Sequence, residues 1–220
     1  MSNDFWEDPE RVKRFAERDP DHRLVALVGE YPHPASIKVL DVGCAGGRNT
    51  VFLARLGFDV VALDASAAMV EQTRARLAEV LGTDEAERRI QQGRMDELAR
   101  WPDGAFDLVV SLGVHHIART LDEWERTAAE TARVLKGGGR LLFNQFTPEV
   151  DLTGEGVTPV PGEPHVFMGF QDGRVVLMDA PTLDERWAEH GLIPAVPSET
   201  VRVERDQGRR VSVNALYEKG

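Results

Sequence analysis

The stretch Val39-Leu40-Asp41-Val42-Gly43-Cys44-Ala45-Gly46-Gly47-Arg48 constrains this chain more than any other. An apolar run from Ile37 to Val42 reads as a buried strand. It enters a turn with glycine at 43, 46 and 47, and the residues from Asn49 to Leu56 then read as a helix ended by Gly57. Glycine has no Cβ, so it permits a tight turn and lets backbone N–H groups come up against a ligand. The next apolar run, Val60 to Leu63, delivers a carboxylate, Asp64, 17 residues after Gly47. An acid at the tip of a second strand, about 20 residues past such glycines, is placed to accept from the two hydroxyls of a ribose.

The turn excludes some ligands. A dinucleotide fingerprint needs G-x-G-x-x-G, but counting from Gly43 the second place is Ala45 and the third is Arg48. No Gly-Lys-Ser/Thr follows, so it is not a phosphate loop. The turn instead resembles the first motif of the class I S-adenosylmethionine-dependent methyltransferases, D-x-G-x-G-x-G, whose places are filled here by Asp41, Gly43, Ala45 and Gly47. Alanine in the middle place permits close approach provided its φ stays negative.

A chain of 220 residues is expected to form a single domain and to bury roughly 70% of its unfolded surface. Its one cysteine, Cys44, has no internal disulfide partner and reads as a small residue filling the turn rather than a nucleophile. With 37 acidic against 26 basic residues and a net charge of -11, the chain is expected to repel nucleic acid. No segment approaches the roughly 18 apolar residues of a membrane span, and Met1 to Asp8 lacks a basic region leading into an apolar run. The expected location is therefore cytoplasmic, with no membrane partner.

Beyond residue 36, short apolar runs alternate with segments of helical period, which predicts crossover units and a mainly parallel sheet. Strands are predicted at Ile37 to Val42, Val60 to Asp64, Arg89 to Gln92, Phe106 to Ser111 and Arg140 to Gln145. Between them, helices are predicted at Asn49 to Leu56, at Ala67 to Leu81 closed by Gly82, and at Leu121 to Lys136 closed by Gly137. Thr120 and Glu123 form a capping box, and Trp124 falls on the core face behind it. Residues 146 to 181 break the rhythm with prolines at 148, 159, 161, 164 and 181, and Val166 to Met168 and Val175 to Met178 are predicted to pair as a small ribbon. A second box, Thr182 to Glu185, predicts a helix ending at Gly191. Alternation at Thr200 to Glu204 and Arg210 to Tyr217 predicts a terminal antiparallel hairpin. Before residue 37, helices are expected at Pro9 to Glu17, capped by Asp8, and at Asp21 to Val28.

From about Ile37 to Phe146 the order of motifs is similar to the small-molecule branch of that family, which includes the quinone-biosynthesis type. Besides the turn and Asp64, it rests on Phe106 to Ser111 followed by His115-His116, and on Ala132 to Phe143 with its glycine run. The resemblance implies a Rossmann-like, doubly wound α/β fold, with seven strands in the order 3-2-1-4-5-7-6 and the last strand antiparallel. It also implies a helical lid at residues 1–36, a methyltransferase domain at 37–220, and a β-ribbon insertion at about 146–181, all within one domain. S-adenosyl-L-methionine is the implied cofactor and S-adenosyl-L-homocysteine the product. Gly43, Ala45 and Gly47 would pass close to its methionine and ribose, with Asp41 supporting the amino group. Asp64 would hold the ribose hydroxyls, Ala65 would lie against the adenine, and Ser111 would offer backbone atoms to the ammonium. Where the family has Gly-Asp-small after the third strand, this chain has Gly93-Arg94-Met95, so Met95 or Asp96 is expected to serve the adenine.

His115 and His116 follow the fourth strand, at the end where open parallel sheets bind ligands, and are the candidates for a base or an acceptor-orienting group. No carboxylate at ligand spacing completes a metal site with them. Phe5, Trp6, Phe15, Phe146, His165, Phe167, Met168 and Phe170 are candidates to roof an acceptor pocket or to seal a lid. The expected activity is methyl transfer to an oxygen or nitrogen nucleophile of a small organic molecule. A silent S-adenosylmethionine-binding sensor, a protein methyltransferase and a nicotinamide dehydrogenase are the rival readings.

Overall fold

Val39, Leu40 and Val42 are almost wholly shut away from solvent, as a strand covered on both faces requires. In the computed structural model, which describes residues 4–170 and 173–220 without the side chains of Asp4, Phe5 and Phe170, this run is β1 (Lys38–Val42). The chain folds as two units. One comprises Asp4–Met95 with Ala105–Val110, and the other Asp96–Gly104 with Ser111–Gly220.

The first unit runs α1 (Asp4–Glu7), α2 (Pro9–Ala16), α3 (His22–Leu27), β1, α4 (Arg48–Arg55), β2 (Asp59–Asp64), α5 (Ala67–Leu81), α6 (Thr83–Arg89) and β3 (Ile90–Gln92), with most of β4 (Phe106–Leu112). β1 and β2 pair in parallel, as do β2 and β3, and that register sets Asp64 opposite Gln92. The predicted limits of α5 hold: the Ser66 hydroxyl caps the Met69 N–H at 3.1 Å, and Gly82 ends the helix at φ 89°. The helices before β1 are clamped to the first turn of α4. Arg48 donates to the Asp19 carbonyl at 2.9 Å, and the Asp21 N–H donates to Asn49 Oδ1 at 2.9 Å.

The second unit holds α7 (Leu121–Val134), β5 (Leu135–Phe146), β6 (Thr158–Pro159), β7 (Val166–Phe170), β8 (Gly173–Val176), α8 (Ala180–Glu189), β9 (Leu192–Pro194), β10 (Glu199–Glu204) and β11 (Arg209–Lys219). β11 lies antiparallel between β5 and β10. The strand order β3-β2-β1-β4-β5-β11-β10 matches the expected 3-2-1-4-5-7-6, with short β9 added beside β11 as an eighth strand. The core of this unit is aromatic: Trp124, Phe143, Trp187 and Tyr217 have no exposure, and the Trp187 ring centroid lies 5.3 to 5.7 Å from the other three.

Two predicted boundaries are corrected. α7 stops at Val134 rather than Lys136, because Lys219 Nζ donates to the Ala132 and Leu135 carbonyls at 2.7 and 2.8 Å and so ends the helix without a glycine. α8 is capped by Asp179, not Thr182. Its carboxylate accepts from the Thr182 N–H at 3.0 Å, and Pro181 occupies the first turn, where no donor is needed. β7 and β8 pair as predicted, with Val166 opposite Val176, and β6 joins them as an unforeseen third strand. Their connecting residues, Gln171 and Asp172, lie outside the described residues. Among the described residues, no helix is long and apolar enough to cross a membrane.

Gly46 takes its identity from packing. A Cβ there would stand 2.6 Å from the Cα and Cβ of Ala16 at the end of α2. Gly46→Ala is expected to lower unfolding stability by about 1–3 kcal/mol through overpacking, measured by urea titration, and an unchanged midpoint would show that α2 yields freely.

Candidate functional site

The turn after β1 is pinned by hydrogen bonds on nearly every backbone group. The N–H groups of Gly43 and Cys44 both donate to the Leu63 carbonyl at the end of β2, at 2.9 and 3.0 Å, and Gly47 N–H donates back to the Cys44 carbonyl at 2.9 Å. Thr73 donates to the Ala45 carbonyl at 2.6 Å, and Arg76 to the Gly46 carbonyl at 2.6 Å. These bonds hold Ala45 at φ 49°, in the left-handed region. The expectation of a negative φ there is corrected. A side chain in that region costs about 1–2 kcal/mol, and the turn keeps it because the bonds on both sides of Ala45 overdetermine its conformation.

Asp64 is the centre of this arrangement. One carboxylate oxygen accepts from the Ala45 N–H and the other from the Ser66 N–H, each at 2.9 Å. The side chain is half-buried, and desolvation pushes its pKa up while these backbone donors pull it back. Each oxygen keeps a further lone pair, so the group remains able to accept from a diol. Ala65, next along, is exposed. Gly43, at φ 70°, and Ala45 are partly exposed beside it, and this set of small residues around one carboxylate fits a ribose with an attached base.

The other sequence-predicted residues of the first unit are more enclosed. Asp41 is 2% exposed and accepts from the Thr50 hydroxyl at 2.6 Å, and burial raises its pKa to about 6. Gly47 is buried at φ 79°, where a Cβ would lie 2.8 Å from Thr73 Cγ2, so contact with α5 already demands glycine there. Cys44 is buried, and desolvation raises its thiol pKa well above the ordinary value, in keeping with a filler of the turn. Met95 is 8% exposed. Two residues that the sequence reading passed over join this region. The Glu7 carboxylate caps the N–H groups of Ala67 and Ala68 at 3.0 Å, and Gln92 donates from Nε2 to the Ala65 carbonyl at 3.1 Å. Glu7 gave no signal in the sequence, whereas Gln92 gave one in its place at the end of a strand paired with the Asp64 strand.

In the second unit, the Asp96 side chain is 6% exposed and lies 3.4 Å from Arg126. Ser111 has no exposure, and its hydroxyl lies 2.9 Å from His115 Nδ1. The His115 ring is enclosed by Trp124, Phe143 and Trp187, with centroids 5.1 to 5.9 Å away. Among the described residues, its Nε2 has no hydrogen-bond partner. His116 is 3% exposed and lies 4.7 Å from the Phe146 ring. Desolvation takes both pKa values down to about 3, helped by His116 in the first case and by Arg210 in the second. The exposure that a proton-accepting group needs is not found at either ring.

Of the proposed roof residues, Trp6 and Phe15 are half-buried and stack edge-on at 5.5 Å. Phe146 and Phe167 pack on a small core of Val150, Val175 and Leu177. His165 takes φ 63°, and Met168 is 43% exposed. The side chains of Phe5 and Phe170 lie outside the described residues.

The histidine pair predicts acid sensitivity. Unfolded, each ring accepts a proton near its ordinary pKa of about 6.5, and folded it resists down to about 3. The unfolded state thus binds more protons across that window, and stability falls as pH falls through it. Asp41 and Asp64 have the opposite sign, since burial raises both and their folded forms take up a proton first, but each of the two histidines is shifted further than Asp41. Urea midpoints are expected to drop steadily between about pH 6.5 and pH 4, and less steeply in His115→Phe; parallel curves would contradict this assignment.

Residues 40–143 match the family model described as a methyltransferase domain. A ubiquinone biosynthesis O-methyltransferase of Xanthomonas oryzae pv. oryzae is 32% identical over 110 residues, which is 50% of this chain and 43% of that protein. The chain thus spans less than half the length of that relative. The PH0226 protein of Pyrococcus horikoshii OT3 shares the fold at TM-score 0.68 and 20% identity, over 98% of this chain and 93% of that one. A Burkholderia thailandensis 1,6-didemethyltoxoflavin-N1-methyltransferase, solved with S-adenosylhomocysteine, does so at TM-score 0.63 and 20% identity, over 99% of this chain and 82% of that one. The turn motif, the strand order and the matched domain at residues 40–143 agree in supporting a class I S-adenosylmethionine-dependent methyltransferase.

Proposed function

We propose that the chain transfers the methyl group of S-adenosylmethionine to an oxygen or nitrogen nucleophile of a small organic molecule. The observation that supports this best is the half-buried Asp64 carboxylate, held between the Ala45 and Ser66 N–H groups beside the exposed Ala65. In this reading Asp64 holds the ribose, Gly43 and Ala45 admit it to the turn, and Ala65 and Met95 flank the base. Asp41, Gly47 and Ser111 keep the cofactor-binding roles that their motif positions imply, whereas Asp96, enclosed beside Arg126, is assigned to bracing its loop rather than to reading the adenine amine. Residues 37–220 form the working domain, residues 1–36 its cap and residues 146–181 an insertion. The bound sulfonium supplies a methyl carbon already activated for in-line displacement, so positioning is the protein's main task.

A small-molecule acceptor is supported by a relative named as a ubiquinone biosynthesis O-methyltransferase and a neighbour named as a 1,6-didemethyltoxoflavin-N1-methyltransferase. The acidic chain, at net charge -11, suits a nucleic-acid strand poorly. With their rings buried and neutral, His115 and His116 are assigned to positioning rather than proton removal. An acceptor oxygen then has to arrive ionised or readily acidic, and an acceptor nitrogen as the free base.

Two measurements test this reading. Calorimetry with S-adenosylhomocysteine is expected to show binding that Asp64→Ala weakens roughly 10- to 100-fold, the worth of a charge-assisted hydrogen-bond pair; equal affinity in the variant would remove the ribose assignment. With an acceptor in hand, the pH profile of kcat/KM should follow the acceptor's own ionisation. A limb near about pH 6.5 that disappears in His116→Gln would instead restore a histidine base.

A further inference from the structure

Arg94 stands where the resemblance to the class I methyltransferases implies an acidic residue for the adenine, and a guanidinium has only donors to offer. Asp96, two residues on, is enclosed and faces Arg126 at 3.4 Å. The Gly93 N–H is spent on the Asp64 carbonyl at 3.0 Å, and Met95 is an apolar side chain in the core. The 6-amino group of an adenine therefore needs an acceptor from another residue.

We propose that Gln92 is that residue, and that its side-chain amide makes the site specific for a 6-amino over a 6-oxo purine. This rests on the use of S-adenosylmethionine proposed above. Gln92 ends β3 directly opposite Asp64, one strand spacing of about 4.8 Å away. The base is joined to the sugar at the carbon next to the diol, so a group that reads it stands within one nucleoside length of Asp64. Gln92 meets that requirement and is exposed.

The amide's orientation follows from its neighbour. A backbone carbonyl only accepts, so the group that faces Ala65 O at 3.1 Å is the NH2, which turns Oε1 outward as an acceptor. Among the described residues, that oxygen accepts no hydrogen bond. It matches an exocyclic amine. For a 6-oxo purine the amide would have to turn over, which sets its oxygen against the Ala65 carbonyl. The neighbouring Gln91 takes no part, since its Nε2 donates to the Glu87 and Arg88 carbonyls at 3.2 and 2.9 Å.

The test compares S-adenosylhomocysteine with its inosine counterpart by calorimetry on the full chain, for the natural protein and for Gln92→Met, which keeps the bulk and loses the amide. The natural protein should bind the adenosine compound roughly five- to tenfold more tightly, the size of one neutral hydrogen bond, and Gln92→Met should lose most of that preference through weaker adenosine binding alone. Matching thermal midpoints are expected, because the side chain is exposed. Undiminished preference in Gln92→Met, equal weakening of both compounds, or no preference in the natural protein would overturn the role of Gln92. No heat with either compound in the natural protein would instead overturn the use of S-adenosylmethionine itself.

Discussion

The hydrogen bonds of Asp64 to the N–H groups of Ala45 and Ser66 are the constraint on which the rest of the first unit depends. They bring the tip of β2 against the turn after β1 and help hold a non-glycine residue at a positive φ, which an isolated turn would abandon. The same carboxylate fixes the entry to α5, where Ser66 caps the helix and Glu7 covers the next two N–H groups. One side chain therefore orders the turn, the helix start and the polar face offered to a ligand. Its cost is a carboxylate kept partly out of water, offset by backbone donors.

The fold was largely legible in the sequence because its elements obey local rules. Unbroken apolar runs mark strands covered on both faces, and Ser66, Asp8 and Thr120 each cap a helix from the place their residue type suggests. The misread ends have distant partners. α7 is finished by Lys219, some 84 residues beyond Leu135, and no local pattern announces that bond. α8 has two acceptable caps three residues apart, and Pro181 decides for the earlier one. The short α1, α6, β6 and β9 have too few residues to display a period.

The site was legible as a set of positions but not as a set of environments. The spacing of Asp64 beyond the glycines identifies the residue, whereas the φ of Ala45 depends on Thr73, a helix away. Gly46 and Gly47 both look like ligand-approach glycines, yet Ala16 and Thr73 already require them for packing. His115 and His116 look reactive in the sequence, but their burial depends on Trp124, Phe143, Phe146 and Trp187, which only the fold brings together. Motif reading assigns residue types to places, and tertiary packing then decides which of them meet solvent.

The central claim is that Asp64 braces the turn and holds the ribose at the same time. A crystal structure of the chain with S-adenosylhomocysteine tests it most directly. The account predicts both ribose hydroxyls within about 3 Å of the Asp64 carboxylate, with the Ala45 and Ser66 N–H bonds still in place. A ribose bound elsewhere, or an Asp64 that releases Ala45 to reach it, would contradict the account.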